Sequence, residues 1–188
     1  MGDAAHRRAM YQDVLDTPPE RVAEVIRGVL YTHARPRARH ARASSQMGVI
    51  LGGPFDRGVD GPGGWLILDE CELHLGPEPD ILVPDLAAWR RTTLTELPDE
   101  AYLTVAPDWV CEVLSPSTAH IDRADKMPVY LRERVAHVWL VDPDRKTLEV
   151  FRLDGESYRL VMTWRDDARC RAEPFDAIEL GLAELWAR

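Results

Sequence analysis

Residues 109–130 read WVCEVLSPSTAHIDRADKMPVY, and this stretch decides the fold of the chain. The first six residues, Trp109–Leu114, are predicted to form a strand. Because successive strand residues point to opposite faces, Glu112 shares a face with Val110 and Leu114. An unpaired carboxylate among apolar neighbours costs several kcal/mol. Glu112 could be neutralised by a proton, a lysine or a metal ion, or it could remain charged by reaching solvent at the end of the strand. Each of these possibilities implies a different kind of protein.

The residues that follow this strand are predicted to form a helix from Thr118 to Arg134. Asp122, Lys126 and Tyr130 are spaced by four and therefore lie along one stripe of that helix. If the helix packs beside the strand that precedes it, the stripe can reach the strand's carboxylate. Lys126 would then supply a positive charge to Glu112.

The remaining elements indicate an α/β domain. Thr17, Pro18 and Glu20 have the pattern of a helix start, so a helix is predicted from there to Arg27, ending at Gly28. A second helical segment is predicted over 37–51. Strands are predicted over 29–32, 65–68, 72–75 and 80–83, and within HVWLVD, TLEVFRL and YRLVMTW. The pattern predicts one domain over 1–188, with a mixed sheet flanked by helices and antiparallel C-terminal strands.

Composition narrows the class of protein. The 188 residues include 23 basic and 32 acidic side chains, for a net charge of −9. The chain has no long basic run of the kind that would indicate a nucleic-acid partner. The three cysteines are widely spaced, which disfavours a disulfide framework or a zinc site. The N-terminal segment lacks the apolar core of a signal peptide, and no 18-residue apolar run occurs. We therefore expect a cytoplasmic protein.

Two aspartates are candidates to join Glu112. In the segment PDILVPD, Asp80 aligns with Leu82 and Asp85 with Val83, so a regular strand would direct them to opposite faces. Two carboxylates about 4 Å apart repel by about 4 kcal/mol at an effective dielectric near 20. A divalent cation such as magnesium, which prefers hard oxygen ligands, resolves this repulsion better than a lysine alone. Asp80 is the first candidate, and Asp85 is held in reserve.

These motifs carry a family resemblance. Pro79–Asp80, the sequence EVLSPST from Glu112, the series Asp122, Lys126 and Tyr130, and the HVWLVDP strand resemble, in order and spacing, the PD-(D/E)XK nuclease superfamily and its Uma-type branch of restriction endonucleases. The resemblance covers roughly residues 17–155. It implies a restriction-endonuclease-like core.

The resemblance also implies a chemistry. Asp80 and Glu112 would hold Mg²⁺, with Mn²⁺ as a substitute, in an endonuclease that hydrolyses phosphodiester bonds of DNA, or of RNA. A lysine would orient or activate the attacking water. The superfamily's usual lysine position is Leu114 here, and Lys126 is its natural substitute. Glu24 matches a family acidic position that completes the metal shell, with Asp122, Tyr130 and Asp85 in supporting roles.

Two further expectations concern partners. The local basic patch comprises Arg37, Arg39, His40 and Arg42, and with Arg90 and Arg91 it is the candidate surface for nucleic acid, although the pattern favours a simple solvated helix face. A homodimer is expected, because nucleases that act on two strands often pair two sites.

The alternative function is a degraded nuclease-fold module that binds nucleic acid or a protein without cutting.

Overall fold

The structure is a computed structural model that describes residues 7–186. The first six residues of the segment considered for targeting, and the last two residues of the predicted domain 1–188, lie outside the described residues. Between residues 7 and 186, no helix combines the length and apolar character needed to cross a membrane. All three cysteines are free thiols.

The described chain alternates short helices with strands. The helical segments are α1 (Tyr11–Leu15), α2 (Ala38–Leu51), α3 (Ala119–Ile121) and α4 (Met127–Arg132), with π-helical turns at Gly52–Asp56 and Asp122–Lys126 and a 3₁₀ turn at Leu182–Glu184. The strands are β1 (Arg21–Ile26), β2 (Val29–Ala34), β3 (Trp65–Asp69), β4 (Glu72–Leu75), β5 (Asp80–Leu82), β6 (Leu86–Arg90), β7 (Tyr102–Leu103), β8 (Trp109–Val113), β9 (His137–Asp142), β10 (Thr147–Asp154), β11 (Ser157–Arg165), β12 (Arg169–Cys170) and β13 (Leu180–Gly181).

The central sheet has six strands in the order β11-β10-β9-β8-β6-β3. Strands β8 and β9 are parallel and are joined by the helical segment 119–132, whereas the other neighbours are antiparallel. All five residues of β8 are buried. A fully buried strand beside a helical crossover is typical of the parallel part of an α/β sheet. The predicted mixed sheet, with its antiparallel C-terminal strands, is confirmed.

A second sheet of five strands, in the order β2-β1-β5-β4-β7, covers one face of the central sheet. Apolar side chains of both sheets and of α4 form one core, which contains Leu73, Val110 and Tyr130. The other face of β8 contributes Trp109 and Cys111 to a core with α2 and the C-terminal segment. The alternation predicted for β8 is therefore observed, and Glu112 points toward the space between the two sheets.

The helix predicted from Pro18 to Arg27 is wrong. That segment forms β1, which pairs with β2 through a two-residue turn at Arg27 and Gly28. Both turn residues have positive φ, 52° and 77°, which is the geometry of a tight hairpin turn. The Thr17 hydroxyl donates to the carbonyl of Asp13, in α1, rather than capping a new helix. Hairpin pairing between two neighbouring strands outweighs the local capping signal.

Two other differences affect the site. Strand β6 was not predicted, yet it lies next to β8 in the central sheet. The chain leaves the five-stranded sheet after Leu82 and enters the central sheet at Leu86, so 80–90 is two strands with a bend between them. The helix predicted over 118–134 is confirmed as the segment 119–132, with a π-helical turn in its middle.

Candidate active site

Glu112 lies at the centre of the candidate site and is only 2% exposed. The phenol of Tyr130 donates to its Oε1 at 2.5 Å, and the ammonium of Lys126 donates to its Oε2 at 3.3 Å. Both partners come from the helical segment that follows β8. The stripe predicted from their spacing therefore does reach the strand, and Lys126 is one of the groups that compensate the buried carboxylate.

Lys126 contacts three carboxylates. Its Nζ lies 2.9 Å from Glu24 Oε1, 3.3 Å from Glu112 Oε2 and 3.3 Å from Asp122 Oδ1. Burial favours the neutral amine, but the surrounding negative charges outweigh it and raise the pKa of Lys126 well above its ordinary value. The side chain is therefore a charged ammonium, and its three carboxylate partners fix its position beside Glu112.

Glu24 lies on β1, not on a helix, and it is 1% exposed. Its Oε1 accepts a hydrogen bond from the Val83 backbone N–H at 2.8 Å as well as from Lys126. His33 lies 3.6 Å from its other oxygen. Burial opposes ionisation, yet Lys126, His33 and Val83 together lower the pKa of Glu24. These contacts place Glu24 against the lysine, with both of its oxygens engaged.

Negative charge exceeds positive charge at this point. Burial, followed by repulsion from neighbouring carboxylates, raises the pKa of Glu112 well above its ordinary value against the opposing effect of Lys126. Burial is also the largest cause of the raised pKa of Asp122. One ammonium therefore does not neutralise the group, and a further cation would be stabilised beside Glu112.

Asp85 is the second carboxylate on this face. The β6–β8 register pairs Leu86 with Cys111, and continuing it by one residue sets Asp85 opposite Glu112. Directly opposite residues of an antiparallel pair have side chains about 5 Å apart on one face. The Val113 backbone N–H donates to Asp85 Oδ2 at 2.7 Å, and His40 Nε2 lies 3.3 Å from Oδ1.

Asp80, the first candidate, is not brought to Glu112. Its Oδ2 accepts from the guanidinium of Arg132 at 2.7 Å, and its Oδ1 accepts from the Arg27 backbone N–H in the β1–β2 turn. Alternation along one regular strand does not apply here, because the bend at Val83 and Pro84 transfers the chain between sheets. A second Pro-Asp pair, Pro84–Asp85, lies directly before β6. This pair is the sequence signal for Asp85, whereas the motif was assigned to Pro79–Asp80.

The donor set fits a hard divalent cation in part. Across residues 7–186, no group of three His, Cys, Asp or Glu side chains is arranged to hold a metal ion. Asp85 and Glu112 nevertheless offer two carboxylates in a region of excess negative charge. Magnesium often binds through one or two carboxylates, with water and substrate phosphate completing its shell. Two carboxylates that leave other positions free for water and phosphate therefore suit magnesium, which is seldom enclosed by protein ligands alone.

The site opens into a cavity of about 750 Å³. Its lining includes Glu112, Asp122, Lys126 and Asp85, and its walls come from the β1–β2 hairpin, the segment 14–19 and the start of α2. Three arginines also line it: Arg21, Arg35 and Arg37, each exposed. Of these, Arg37 was predicted from sequence, whereas Arg21 and Arg35 were missed because they lie outside the arginine-rich helix.

The other predicted nucleic-acid residues lie at three locations. His40 lines the cavity beside Asp85. Arg39 pairs with Asp144 at 3.3 Å, and Arg42 approaches the carbonyl of Glu184 at 3.5 Å, so neither lines the cavity. Arg90 stacks over Trp65 and Arg91 pairs with Asp56 at 2.7 Å, at the end of β6 farthest from Asp85.

Comparison with known proteins gives a consistent result. The sequence model of the family Uma2, described as "Putative restriction endonuclease", matches residues 8–183. A solved structure from Anabaena variabilis, titled as a putative nuclease belonging to DUF820, matches with a TM-score of 0.75 and 20% identity over 95% of this chain and 97% of that chain. No curated protein matches the sequence. At that identity, the structural likeness shows the fold.

Proposed function

The chain belongs to the Uma2 family of putative restriction endonucleases, and on that premise we propose that it is a metal-dependent endonuclease that hydrolyses phosphodiester bonds of DNA. The observation that carries the proposal is the group of buried carboxylates around one ammonium at the base of a cavity of about 750 Å³. Such concentrated, perturbed titratable groups in a cavity are typical of active sites.

We assign the metal-holding role to Asp85 and Glu112, in place of the pair Asp80 and Glu112. Magnesium bound there would polarise the scissile phosphate and lower the pKa of a bound water. Tyr130 fixes the orientation of Glu112 by its hydrogen bond, and the Val113 N–H fixes that of Asp85. These contacts hold both carboxylates in place before substrate arrives.

Lys126 has the electrostatic role in this proposal. Glu24 and Asp122 hold its ammonium at 2.9 and 3.3 Å, so that it lies beside Glu112 without needing a lysine at Leu114. Because the charge is fixed in advance, it can orient an attacking water or stabilise charge on the phosphate at no cost of reorganisation. Glu24 is thus proposed to position the lysine rather than to complete the metal shell.

The test is cleavage of supercoiled DNA, single-stranded DNA and RNA with Mg²⁺ or Mn²⁺. Cleavage that disappears in Asp85→Asn and in Glu112→Gln, each prepared in parallel with wild type, would support the proposal. Those variants also control for contaminating nuclease, since a contaminant would be indifferent to them. Equal cleavage by all three proteins would contradict it.

Calorimetric titration distinguishes the proposal from the alternative, a module that binds without cutting. An intact site should bind Mg²⁺ or Mn²⁺, and Glu112→Gln should weaken that binding. The net charge of −9 favours the form of the alternative that binds a protein, because an acidic chain repels nucleic acid. No heat of binding at millimolar metal, with no cleavage, would select the alternative.

We also propose a homodimer. Strand β11 is one of the two outer strands of the central sheet and exposes Leu160, Val161 and Met162. An exposed apolar edge strand is a surface that a second chain can pair with. Light scattering after gel filtration tests this: Val161→Lys should shift a dimer toward monomer, and a wild-type monomer at all concentrations would contradict it.

A further inference from the structure

The acidic groups lie at the base of a cavity and are not on an open face. Glu24, Glu112, Asp122 and Lys126 are each no more than 4% exposed. The walls above them come from the β1–β2 hairpin and from the segments 14–19 and 115–118. A ligand can reach groups at this depth only if it is narrower than the distance between the cavity walls.

The cavity volume sets the size of that ligand. At about 750 Å³ it falls in the range of about 300–1,000 Å³ found for small-molecule pockets, which is room for about one or two nucleotides. Phosphates of an intact duplex lie on a wide, stiff cylinder, so they would be held at the mouth. A nucleotide in a single strand can instead be turned inward, and doing so breaks no base pair.

The lining has separate surfaces for phosphate and base. Arg21, Arg35 and Arg37 stand on the wall, and Arg37 directly precedes α2, so the positive end of that helix lies at the same rim. Four prolines supply rigid apolar surface: Pro18, Pro19, Pro36 and Pro116. Glu70 and Glu72 line the same cavity, and Glu70 lies 3.8 Å from Arg35, but the three arginines outnumber them. Arginines beside apolar surface suit an unpaired strand, whose bases expose both faces.

An adjoining cavity of about 490 Å³ limits the path of the strand. It shares Pro36, His40, Glu70 and Asp85 with the first cavity, and Asp56 and Asp69 line it in addition. No arginine or lysine of the described chain lines it. The arginines of the first cavity therefore favour it over the second as the place where a phosphate backbone would bind.

We propose that the site accepts a single nucleic-acid strand, with one nucleotide turned into the cavity of 750 Å³, and that it discriminates against intact duplex. The inference rests on the proposed function for its substrate class and deepens it. It concerns binding, so it can be tested whether or not the protein cuts.

The experiment compares affinities by fluorescence anisotropy, with the full chain and labelled oligonucleotides of DNA or RNA, about 12 nucleotides long, single-stranded or as duplex. It is run in EDTA and again in Ca²⁺. We expect single strands to bind at least tenfold more tightly than the matching duplex in at least one condition, and the DNA and RNA arms identify the preferred sugar. Duplex binding that is equal or tighter in both conditions would overturn the inference, as would no binding at all.

Two tryptophan substitutions at exposed small residues form a matched pair. Ala34→Trp, at the end of β2, places a ring in the first cavity, whereas Ser45→Trp, on α2, places one in the second. Single-strand affinity should fall at least tenfold in Ala34→Trp and stay within twofold in Ser45→Trp, with unchanged melting temperatures. The reverse pattern would overturn the inference.

Cleavage measured beside binding separates this inference from the proposed function. Single-strand preference with no cleavage of any substrate would leave the inference standing while the proposed function fails. Cleavage of intact duplex, together with duplex binding as tight as that of single strands, would overturn the inference while the proposed function stands.

Discussion

At the scale of single residues, Glu112 is tolerated within a buried strand because Lys126 and Tyr130 contact its two oxygens. Asp85, which faces it from the neighbouring strand, instead repels its negative charge. A buried carboxylate that loses one partner cannot regain water, so the charge remains uncompensated. Each partner therefore makes a separable contribution, and substitutions can distinguish catalytic roles from structural ones.

Asp80 and Asp85 should behave oppositely when substituted. Asp80→Ala leaves the Arg27 N–H without its acceptor and should cost about 1–3 kcal/mol of unfolding free energy while cleavage by the folded protein persists. Asp85→Asn should lower cleavage by at least about a hundredfold, above the usual cost of losing an outer-shell partner. Urea unfolding and initial cleavage rates measure the two effects. Loss of cleavage in a fully folded Asp80→Ala would restore the original pair.

Lys126→Met should separate charge from packing. The methionine fills a similar volume but leaves Glu24, Glu112 and Asp122 without their ammonium, which should cost about 3–5 kcal/mol at neutral pH. Cleavage should also be lost if the lysine has the proposed role. Arg123→Met, at an exposed position of the same π-helical turn, is the control. Cleavage at the parent rate by Lys126→Met would remove the lysine from the mechanism.

The raised pKa of Glu112 predicts a pH dependence of stability without metal. The ordinary pKa is 4.5 and the folded-state pKa lies well above it, so the folded state binds the proton more tightly between the two values. The unfolding free energy contributed by Glu112 should therefore fall as pH rises from 4.5 through the raised pKa. Urea unfolding of wild type and Glu112→Gln in EDTA, from about pH 5 to 8, gives the difference. Added Mg²⁺ should diminish the loss, and a pH-independent difference would contradict the assignment.

At the scale of elements, the hairpin β1–β2 and the bend between β5 and β6 build the site. The hairpin holds Glu24 above Lys126, and the bend sends Asp85 to the central sheet. The Arg27–Gly28 turn sets the register of the hairpin, because six residue pairs follow from its position. A non-glycine residue at positive φ is strained, and Arg27 lacks the side chain that such turns favour.

Arg27→Asn should therefore stabilise the protein without changing its chemistry. Asparagine tolerates positive φ, and the exchange should add about 0.5–1 kcal/mol, or about 2 °C in melting temperature for a chain of this size. Gly28→Val is the opposite case, since a β-branched residue at φ 77° is strained and would meet the Arg8 side chain. Scanning calorimetry should rank the Arg27→Asn variant above wild type and the Gly28→Val variant below it.

The sequence predicted those elements whose signal is local. The run Trp109–Leu114, the helix after it and the strand HVWLVD each carry their own pattern, and the Glu112–Lys126–Tyr130 group follows from them. Local pattern alone could not identify Asp85 as the partner carboxylate, because its position opposite Glu112 depends on the pairing of β6 with β8. The hairpin was missed because Thr17, Pro18 and Glu20 imitate a helix start. Pairing between strands, rather than propensity, decided both cases.

At the scale of the whole molecule, the charge of −9 conflicts with a nucleic-acid substrate unless basic groups gather where the strand enters. The structure gathers Arg21, Arg35 and Arg37 around one cavity. Arg90 and Arg91 lie at the other end of β6, where they contact Trp65 and Asp56. The same chain therefore contains a test set of arginines and a control set in a different location.

Salt dependence of binding should separate the two sets. Each phosphate contact to a single strand contributes a slope of about −0.7 to log K against log salt, so changing Arg21, Arg35 and Arg37 together to Gln should flatten the slope by about 2. The pair Arg90→Gln and Arg91→Gln should leave the slope unchanged, because those guanidiniums lie away from the cavity. Anisotropy titrations of a single strand between about 50 and 200 mM salt measure both. A slope altered by the Arg90 and Arg91 pair, but not by the three cavity arginines, would place the strand at the far end of β6 instead of at the cavity.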